Sequence, residues 1–313
     1  MITDEIKNEI KKVIIGKDDV ICKVLLAILA RGHVLLEDVP GVGKTSLALA
    51  FSKALGLDCK RIQFTADTMP SDVVGFSVFE KNSSRFVYRP GAVMTNLLLA
   101  DEINRTSSKT QSALLEAMEE GKVTVDGITH DLPTPFTTLA TENPIGSAGT
   151  QLLPVSQLDR FMLKLSMGYP DRASQVEIMR DRHHINPLDN VKPVCTVDKL
   201  SRLIEETQNI FVSDAVYEYI AELTEKTRTH SMIRFGVSPR GALAVCRAAK
   251  AHAFLEQRDY ANADDVAYVF SDVCAHRIVL SSKARMCDCT EQSVISEIML
   301  ECKKPGIREF SRR

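Results

Sequence analysis

Lys44 and Thr45 end a glycine-rich turn whose spacing is that of a phosphate-binding loop. Gly41 and Gly43 allow the backbone to turn tightly and to point N–H groups inward, and the helix that follows presents its positive end to an anion. The Lys44 ammonium can reach nucleotide phosphates, and the Thr45 hydroxyl can ligate Mg²⁺. The strict pattern has glycine where this chain has Asp38, and we expect that departure to matter little for phosphate contact, because the later residues enclose the anion. The turn therefore predicts a site for ATP and Mg²⁺.

Two adjacent carboxylates follow an apolar run farther along the chain. Residues 97–100 read Leu-Leu-Leu-Ala, which is typical of a strand buried in a parallel sheet, and Asp101 and Glu102 follow directly. Beside the phosphate loop, Asp101 would hold Mg²⁺, and Glu102 would orient or deprotonate the attacking water. The alternative is a pair that only ends a strand, but the intact phosphate loop favours hydrolysis. The residues predicted to bind the nucleotide are Pro40, Gly41, Val42, Gly43, Lys44, Thr45, Ser46 and Asp101, with Thr45 and Asp101 as metal ligands.

The order of the predicted elements places this chemistry on a parallel α/β sheet, because strands alternate with helices as far as residue 186. Predicted strands cover residues 33–37, 61–64, 76–80, 85–88, 97–100, 123–125, 128–130 and 136–140, and predicted helices cover residues 45–55 and 108–120. Ser108 with Gln111 has the pattern of a capping box. Asp126-Gly127 predicts a two-residue type I′ hairpin turn.

After residue 186 the sequence changes character. Pro187, Asn190 and Pro193 mark a linker, and the remainder is almost entirely helical in its pattern. Predicted helices cover residues 198–208, 213–227, 239–257, 262–279 and 290–302. We therefore predict an α/β domain over residues 1–186, with a parallel sheet between helices, followed by a small all-helical domain over residues 187–313.

The composition disfavours several classes of protein. Of the 313 residues, 44% are hydrophobic and 26% are charged, as in globular proteins. The net charge of −2 and the pI of about 6.4 lack the basic surplus usual in proteins that bind nucleic acid, so we do not expect that partner. The charged N-terminal segment is unlike a signal peptide, and no apolar run is long enough to span a bilayer. We predict a cytoplasmic protein without membrane insertion, whose eight cysteines, lacking any CxxC pair, are reduced thiols.

Taken together, the motifs resemble those of AAA+ ATPases. In that superfamily an asparagine at the position of Asn143 helps to place the attacking water, although asparagine before proline also commonly opens a loop. Residues 158–161 match the segment whose arginine, Arg160, enters the site of a neighbouring subunit; a surface ion pair is the alternative. Arg240 matches the sensor-2 position, near the phosphates, and is otherwise solvated. The resemblance implies that the catalytic residues are Glu102, Asn143, Arg160 and Arg240.

The closest resemblance is to the MoxR family, over nearly the whole chain. The matching segments are residues 35–45, 101–105, 119–125, 140–144, 157–161 and 236–240. The resemblance implies a homo-oligomeric ring, usually a hexamer, with shared ATP sites. It also implies chaperone-like remodelling or maturation of a protein client, including metal insertion into enzyme complexes, together with a partner that contains a von Willebrand factor A domain. Residues 76–88 and 123–130 take the places of family insertions that face the substrate; packing on the protein's own sheet is the alternative.

Other functions remain open at this stage. A nucleic-acid motor or loader could have the same fold, but its hairpins would carry basic residues toward phosphates, and only Lys122, apart from His130, is basic near the second hairpin turn. A nucleotide-gated binding module without hydrolysis would not need Glu102 or Asn143. A small-molecule kinase would leave the helical domain unexplained.

Overall fold

The computed structural model describes residues 2–82, 84–143, 153–181 and 186–306. Contacts between Cα atoms divide the chain into two compact units. The first unit contains residues 1–25, 33–153 and 165–201, and the second contains residues 26–32, 154–164 and 202–313. Each unit collects several stretches of chain, and the predicted single division between residues 186 and 187 stays a prediction.

The secondary structure of the described residues begins with a helix and ends with one. The α-helices are α1 (Ile2–Lys11), α2 (Asp18–Leu29), α3 (Lys44–Leu55), α4 (Pro70–Val74), α5 (Ser108–Glu120), α6 (Val155–Leu158), α7 (Arg172–Asp181), α8 (Val197–Gln208), α9 (Asp214–Thr229), α10 (Pro239–Leu255), α11 (Ala263–Cys274), α12 (Ser282–Met286) and α13 (Glu291–Glu301). The strands are β1 (Val34–Glu37), β2 (Cys59–Gln63), β3 (Gly75–Glu80), β4 (Arg85–Pro90), β5 (Leu97–Asp101), β6 (Lys122–Val125), β7 (Ile128–Asp131), β8 (Thr137–Glu142), β9 (Leu163–Leu165), β10 (Phe211–Val212), β11 (Ile233–Phe235), β12 (Tyr260–Ala261) and β13 (Val279–Leu280). Among these described helices, none has both the length and the apolar character needed to cross a membrane.

The main sheet has five parallel strands in the order β2-β5-β8-β1-β9, which confirms the predicted α/β class. Every residue of β5 and β8 is buried, as expected for strands covered on both faces. In the strand register, Gln63 of β2 pairs with Asp101 of β5, and Glu37 of β1 pairs with Glu142 of β8. The carboxyl ends of β1, β2, β5 and β8 therefore meet at one edge of the sheet.

Helix α3 leads away from this edge directly after the phosphate loop. It buries Leu47, Phe51 and Leu55, which recur at four-residue intervals on one face. The helix ends at Gly56, whose φ is 62° and whose N–H donates to the Lys53 carbonyl. Glycine is required here for two reasons: the backbone is left-handed, and a Cβ would lie 2.7 Å from the carbonyl oxygen of Cys195.

Two antiparallel hairpins, β3–β4 and β6–β7, belong to the first unit. Asp126 and Gly127 have φ of 50° and 78°, which confirms the type I′ turn of the second hairpin. The rings of Tyr88 and His130 stack with centroids 3.9 Å apart, so the two hairpins pack against each other. Phe86, farther along the first hairpin, is 73% exposed.

The second unit is mainly helical, and a buried carboxylate links two of its helices, α10 and α11. The Asp265 carboxylate, at the start of α11, accepts hydrogen bonds from His252 Nδ1 (2.6 Å) and Arg258 Nη1 (2.7 Å). It also accepts from the backbone N–H of Asn262 (2.8 Å). Burial alone would raise the pKa of Asp265, but the hydrogen bonds from His252 and Arg258 outweigh it, and the pKa lies below its ordinary value of 3.8.

The structure differs from the predicted elements at several ends. Ser107, not Ser108, caps α5: its extended backbone allows the side chain to accept from Thr110 N, at 3.3 Å. The helix predicted over residues 262–279 ends at Cys274, and β13 follows after a short 3₁₀ turn. Because β13 pairs with β11, and β10 with β12, the second unit contains two short strand pairs among its helices.

Candidate nucleotide site

A polar cavity of about 340 Å³ lies at the carboxyl edge of the sheet. Open α/β sheets generally bind ligands at this edge. The cavity is lined by Pro40, Gly41, Gly43, Lys44, Thr45, Ser46, Arg61, Gln63, Asp101, Glu102, Thr141 and Asn143. The fold thus brings together every site residue predicted in the first unit except Val42, which lines a neighbouring cavity.

The glycines of the phosphate loop have backbones that only glycine adopts readily. Gly41 has φ 87° and Gly43 has φ 100°. A Cβ on Gly41 would meet no atom within 4 Å, so the space beside the loop is open. Gly43 precedes α3 and no side chain caps this helix, so its first N–H groups can serve an anion.

Lys44 is a partly buried cation at the start of α3. Its Nζ donates a hydrogen bond to the Asp38 carbonyl, at 2.8 Å. Burial lowers the pKa of Lys44 below its ordinary value of 10.5, and nearby carboxylates, Asp38 and Asp101 foremost, offset this only in part. A desolvated ammonium in this position gains from an added anion, as a phosphate would provide.

Neighbouring strands fix the Asp101 side chain from both sides. Its Oδ2 accepts from Arg61 Nε of β2, at 2.8 Å, and its Oδ1 accepts from Thr141 Oγ1 of β8, at 3.0 Å. The Thr141 hydroxyl oxygen also accepts from the backbone N–H of Glu102, at 2.9 Å. Thr141 therefore orients both acidic residues at once.

Glu102 is held by two side chains. Its Oε2 accepts from Gln63 Nε2 (2.9 Å) and from Arg105 Nη1 (2.7 Å). The backbone of Glu102 is left-handed, with φ 55° and ψ 49°, a conformation that costs about 1–3 kcal/mol in a residue other than glycine. The strand end is thus held in a strained geometry that aims a half-buried carboxylate into the cavity.

Asn143, the predicted water-positioning residue, lines the same cavity. Its backbone carbonyl accepts from Asn104 Nδ2, at 3.1 Å, which fixes the chain just after β8. Pro144, which completes the predicted motif, lies outside the described residues.

Asp38 has a structural role that the phosphate-loop pattern did not indicate. Asp38 is 5% exposed, and its carboxylate accepts three hydrogen bonds from a segment that begins 128 positions later. The donors are Ser166 Oγ at 2.8 Å, Met167 N at 2.6 Å and Gly168 N at 2.9 Å. The expectation that this departure matters little for phosphate contact stays a prediction, and Asp38 has a separate role, because it anchors the start of the phosphate loop to residues 166–168.

A second, largely apolar cavity of about 300 Å³ shares Gly41 and Gly43 with the polar one. Its other lining residues are Val13, Ile14, Ile15, Lys17, Val42, Met167, Tyr169, Pro170, Gln175, Ile178 and Met179. Lys17 Nζ donates to the Tyr169 carbonyl, at 2.9 Å, and so joins two walls. The apolar lining of this cavity, and the position of the cavity next to the phosphate loop, suit the flat aromatic base of a nucleotide.

Arg160 and Arg240, the remaining predicted residues, belong to the second unit. Arg160 follows α6 and is half-buried. Arg240 lies in the first turn of α10, where Ser238 is the N-cap and accepts from Gly241 N at 3.2 Å. The approach of either arginine to a nucleotide stays a prediction.

The residues of the polar cavity fit a magnesium ion. A hydroxyl and a carboxylate, those of Thr45 and Asp101, line it, and Mg²⁺ prefers oxygen ligands of this kind. The ion pair between Arg61 and Asp101 indicates a place where a positive charge is already favourable. Thr45 and Asp101 are therefore the residues that would hold the metal.

Comparison with known proteins identifies the family. Residues 33–163 match the ATPase family associated with various cellular activities (AAA), and residues 225–298 match the AAA lid domain. The chaperone MoxR1 of Mycobacterium tuberculosis is 37% identical over 96% of this chain and 81% of its own length. The chain belongs to the MoxR family of AAA+ ATPases. An uncharacterized protein of Bacillus subtilis, YeaC, is 47% identical over 97% of this chain and 95% of its own. A crystal structure of a proposed ATPase from Cytophaga hutchinsonii has a TM-score of 0.90 and 36% identity, covering 97% of this chain and 94% of that one.

This MoxR-family site contains residues that the sequence did not single out. Arg61, Gln63 and Thr141 reach the two acidic residues only through the register of β2, β5 and β8. The polar residues Arg61 and Gln63, within a short strand, were the one available signal. Asp38 was visible as a departure from the pattern, but its partners are distant in sequence.

Proposed function

We propose that this protein hydrolyses ATP with Mg²⁺ in the polar cavity and uses the cycle to remodel a protein client. The observation that supports the proposal is the convergence of Lys44, Asp101 and Glu102 on one cavity beside the phosphate loop. In this proposal the phosphates occupy the polar cavity and the base occupies the apolar one. AAA+ family membership supports ATP hydrolysis in general, and the geometry supports these residues for it.

The proposed chemistry assigns one task to each side chain. Glu102 orients the attacking water or accepts its proton, and the Asn143 amide helps to place that water against the phosphate. Gln63 and Arg105 both donate to Oε2 of Glu102, so Oε1 can accept from the water while the carboxylate stays held. Thr45 and Asp101 would hold Mg²⁺, whose positive charge would stabilise phosphoryl transfer.

We further propose a homo-oligomeric ring, a hexamer, in which Arg160 of one subunit serves the ATP site of the next. Rings form when the same head-to-tail contact repeats and closes. A guanidinium entering that site neutralises charge that develops on the transferred phosphoryl group. Arg240 serves the phosphates from the helical lid.

The proposed client is a protein complex that the ring matures, including by metal insertion, with a partner that contains a von Willebrand factor A domain. The name of the relative MoxR1 describes it as a chaperone, and the net charge of −2 does not favour a nucleic-acid substrate. The proposed place of action is the cytoplasm.

Phosphate release from ATP, measured with Mg²⁺ for the parent, Lys44→Ala and Lys53→Ala, tests the proposed site. Lys53 is a matched control, because it lies on the same helix in a half-exposed position, where its Nζ donates to the Leu188 carbonyl at 3.0 Å and forms an ion pair with Asp189 at 3.8 Å. We expect Lys44→Ala to lose turnover and Lys53→Ala to keep it. Parental turnover by Lys44→Ala would exclude this cavity as the hydrolytic site.

The client is tested by capture. Glu102→Gln should retain ATP without completing the cycle and so hold its client, whereas Lys44→Ala should not. Recovery of the same proteins with both variants would contradict nucleotide-dependent remodelling. Salt-sensitive stimulation of turnover by single-stranded DNA would instead favour a nucleic-acid motor.

A further inference from the structure

Arg277 is a buried arginine just after α11 in the second unit, with its side chain 2% exposed. Four hydrogen bonds of its guanidinium go to one short segment, residues 159–162, and Nη1 also donates to the Val273 carbonyl. Nε donates to the Asp159 carboxylate at 2.7 Å, and Nη2 donates to the Asp159 and Phe161 carbonyls at 3.0 and 2.7 Å. Nη1 donates to the Met162 carbonyl at 3.1 Å. Arg160 is therefore flanked on both sides by backbone groups that Arg277 holds.

The Asp159 carboxylate connects this segment to the start of α10. Its Oδ1 accepts from Arg277, and its Oδ2 accepts from Ser238 Oγ at 3.0 Å. Ser238 is also the N-cap of α10, since its Oγ accepts from Gly241 N. One carboxylate thus links the position before Arg160 with the cap two positions before Arg240.

The aliphatic part of Arg277 packs against the same helix start. A Cβ added to Gly241 would lie 3.0 Å from Arg277 Cδ and 2.5 Å from Val237 Cγ1. Glycine in the first turn of α10 therefore permits the close approach of Arg277. The guanidinium holds the Arg160 segment, while the stem of the same side chain supports the turn that carries Arg240.

We infer that Arg277, acting with Asp159, is a positioning residue that sets Arg160 and Arg240 together for ATP hydrolysis. The inference rests on the proposed function, because both arginines serve the reaction only there. A guanidinium suits this position better than an ammonium, because its fixed fork of donors serves the Asp159 carboxylate and four backbone carbonyls, those of residues 159, 161, 162 and 273, at the same time. Loss of Arg277 therefore displaces both arginines without touching the nucleotide cavity of the first unit.

Arg277→Gln, with Arg258→Gln as the matched control, tests the inference. Arg258 is a partly buried arginine of the second unit with a carboxylate partner, Asp265, and the bonds of its side chain go to Asp265 and the Tyr260 carbonyl rather than to residues 159–162 or the first turn of α10. We expect Arg277→Gln to lower kcat about 100-fold, the size of loss that a misplacement of about 1 Å produces, with KM for ATP little changed. Arg258→Gln should lower thermal stability and leave kcat unchanged. Equal kcat in the two variants would overturn the inference.

A second comparison separates positioning from general damage. In an Arg160→Ala/Arg240→Ala background, Arg277→Gln should cause no further loss of turnover, because residues that act as a unit are not additive. Asp159→Asn, which keeps the side-chain shape, should reproduce the kcat loss even if Arg277→Gln fails to fold, and Arg277→Lys should recover only part of the activity. An additional loss in the double-variant background would overturn the inference alone. Parental turnover by Arg160→Ala and by Arg240→Ala would instead overturn their proposed catalytic roles, and the inference with them.

Discussion

Asp38→Asn keeps the shape of a buried side chain but converts one carboxylate oxygen into an amide nitrogen. Ser166 Oγ and Gly168 N both donate to Oδ1, and Met167 N donates to Oδ2. If the amide oxygen of the new side chain takes the place of Oδ1 and keeps the bonds from Ser166 and Gly168, the amide NH₂ takes the place of Oδ2. The Met167 N–H then faces another donor. Met167 is 4% exposed, so water cannot readily replace the lost acceptor.

The magnitude follows from that single unsatisfied donor. Leaving a buried N–H without an acceptor costs about 1–3 kcal/mol. If the phosphate loop must regain its anchored geometry on binding, the same energy raises the nucleotide Kd about 5- to 150-fold. Asp38→Gly restores the strict phosphate-loop pattern but removes all three bonds, so we expect a loss at least as large.

Titration with a fluorescent ADP analogue measures the effect, with Asp58→Asn as the control. Asp58 accepts from Thr95 Oγ1 at 3.0 Å. It directly precedes β2, whereas Gln63 ends that strand at the cavity, so Asp58 lies about 15 Å from the cavity along the strand. Asp58→Asn should bind as the parent does. If both Asp38→Asn and Asp38→Gly bound the ADP analogue as tightly as the parent, the anchoring role of Asp38 would be refuted.

Two further predictions concern the ring and the lid. Arg160→Ala should bind nucleotide but lose about 10³-fold in turnover. Mixing Arg160→Ala subunits with Lys44→Ala subunits should restore part of the phosphate release. Absence of rescue in rings shown to be mixed would contradict a shared site. The pKa of Asp265 is lowered on folding, so its stabilisation is present above about pH 4 and is lost as the pH falls through the lowered pKa. Thermal unfolding should show Asp265→Asn destabilised by about 3–5 kcal/mol at pH 7, because the charge of Arg258 loses its partner. Below pH 4 the difference in stability between this variant and the parent should be smaller. A constant difference across this pH range would contradict the role of the carboxylate.

Much of the first unit could be predicted because its signals are local. The phosphate loop depends on the spacing of Gly41, Gly43 and Lys44 within one turn, and the buried strand before Asp101 shows as a continuous apolar run. The cap of α5 was misplaced by one residue because two serines are adjacent, and backbone geometry alone selects Ser107.

What the sequence could not provide depends on strand register and distant packing. Arg61 and Thr141 meet Asp101 because β2 and β8 flank β5 at a particular register. The strands of the second unit, two or three residues long, lack the length to show a period of two, so the sequence predicted only helices after residue 186. Arg277 had no signal, because a buried arginine is recognisable only from the carbonyls that surround it.

The most direct measurement is single-turnover ATP hydrolysis by Glu102→Gln, beside Glu116→Gln, an exposed glutamate on α5. Glutamine keeps the shape of the side chain but cannot accept a proton from the attacking water. We predict that Glu102→Gln binds ATP normally and hydrolyses it about 10²- to 10⁴-fold more slowly, while Glu116→Gln matches the parent. Hydrolysis by Glu102→Gln at the parental rate would contradict the assignment of this cavity as the catalytic site.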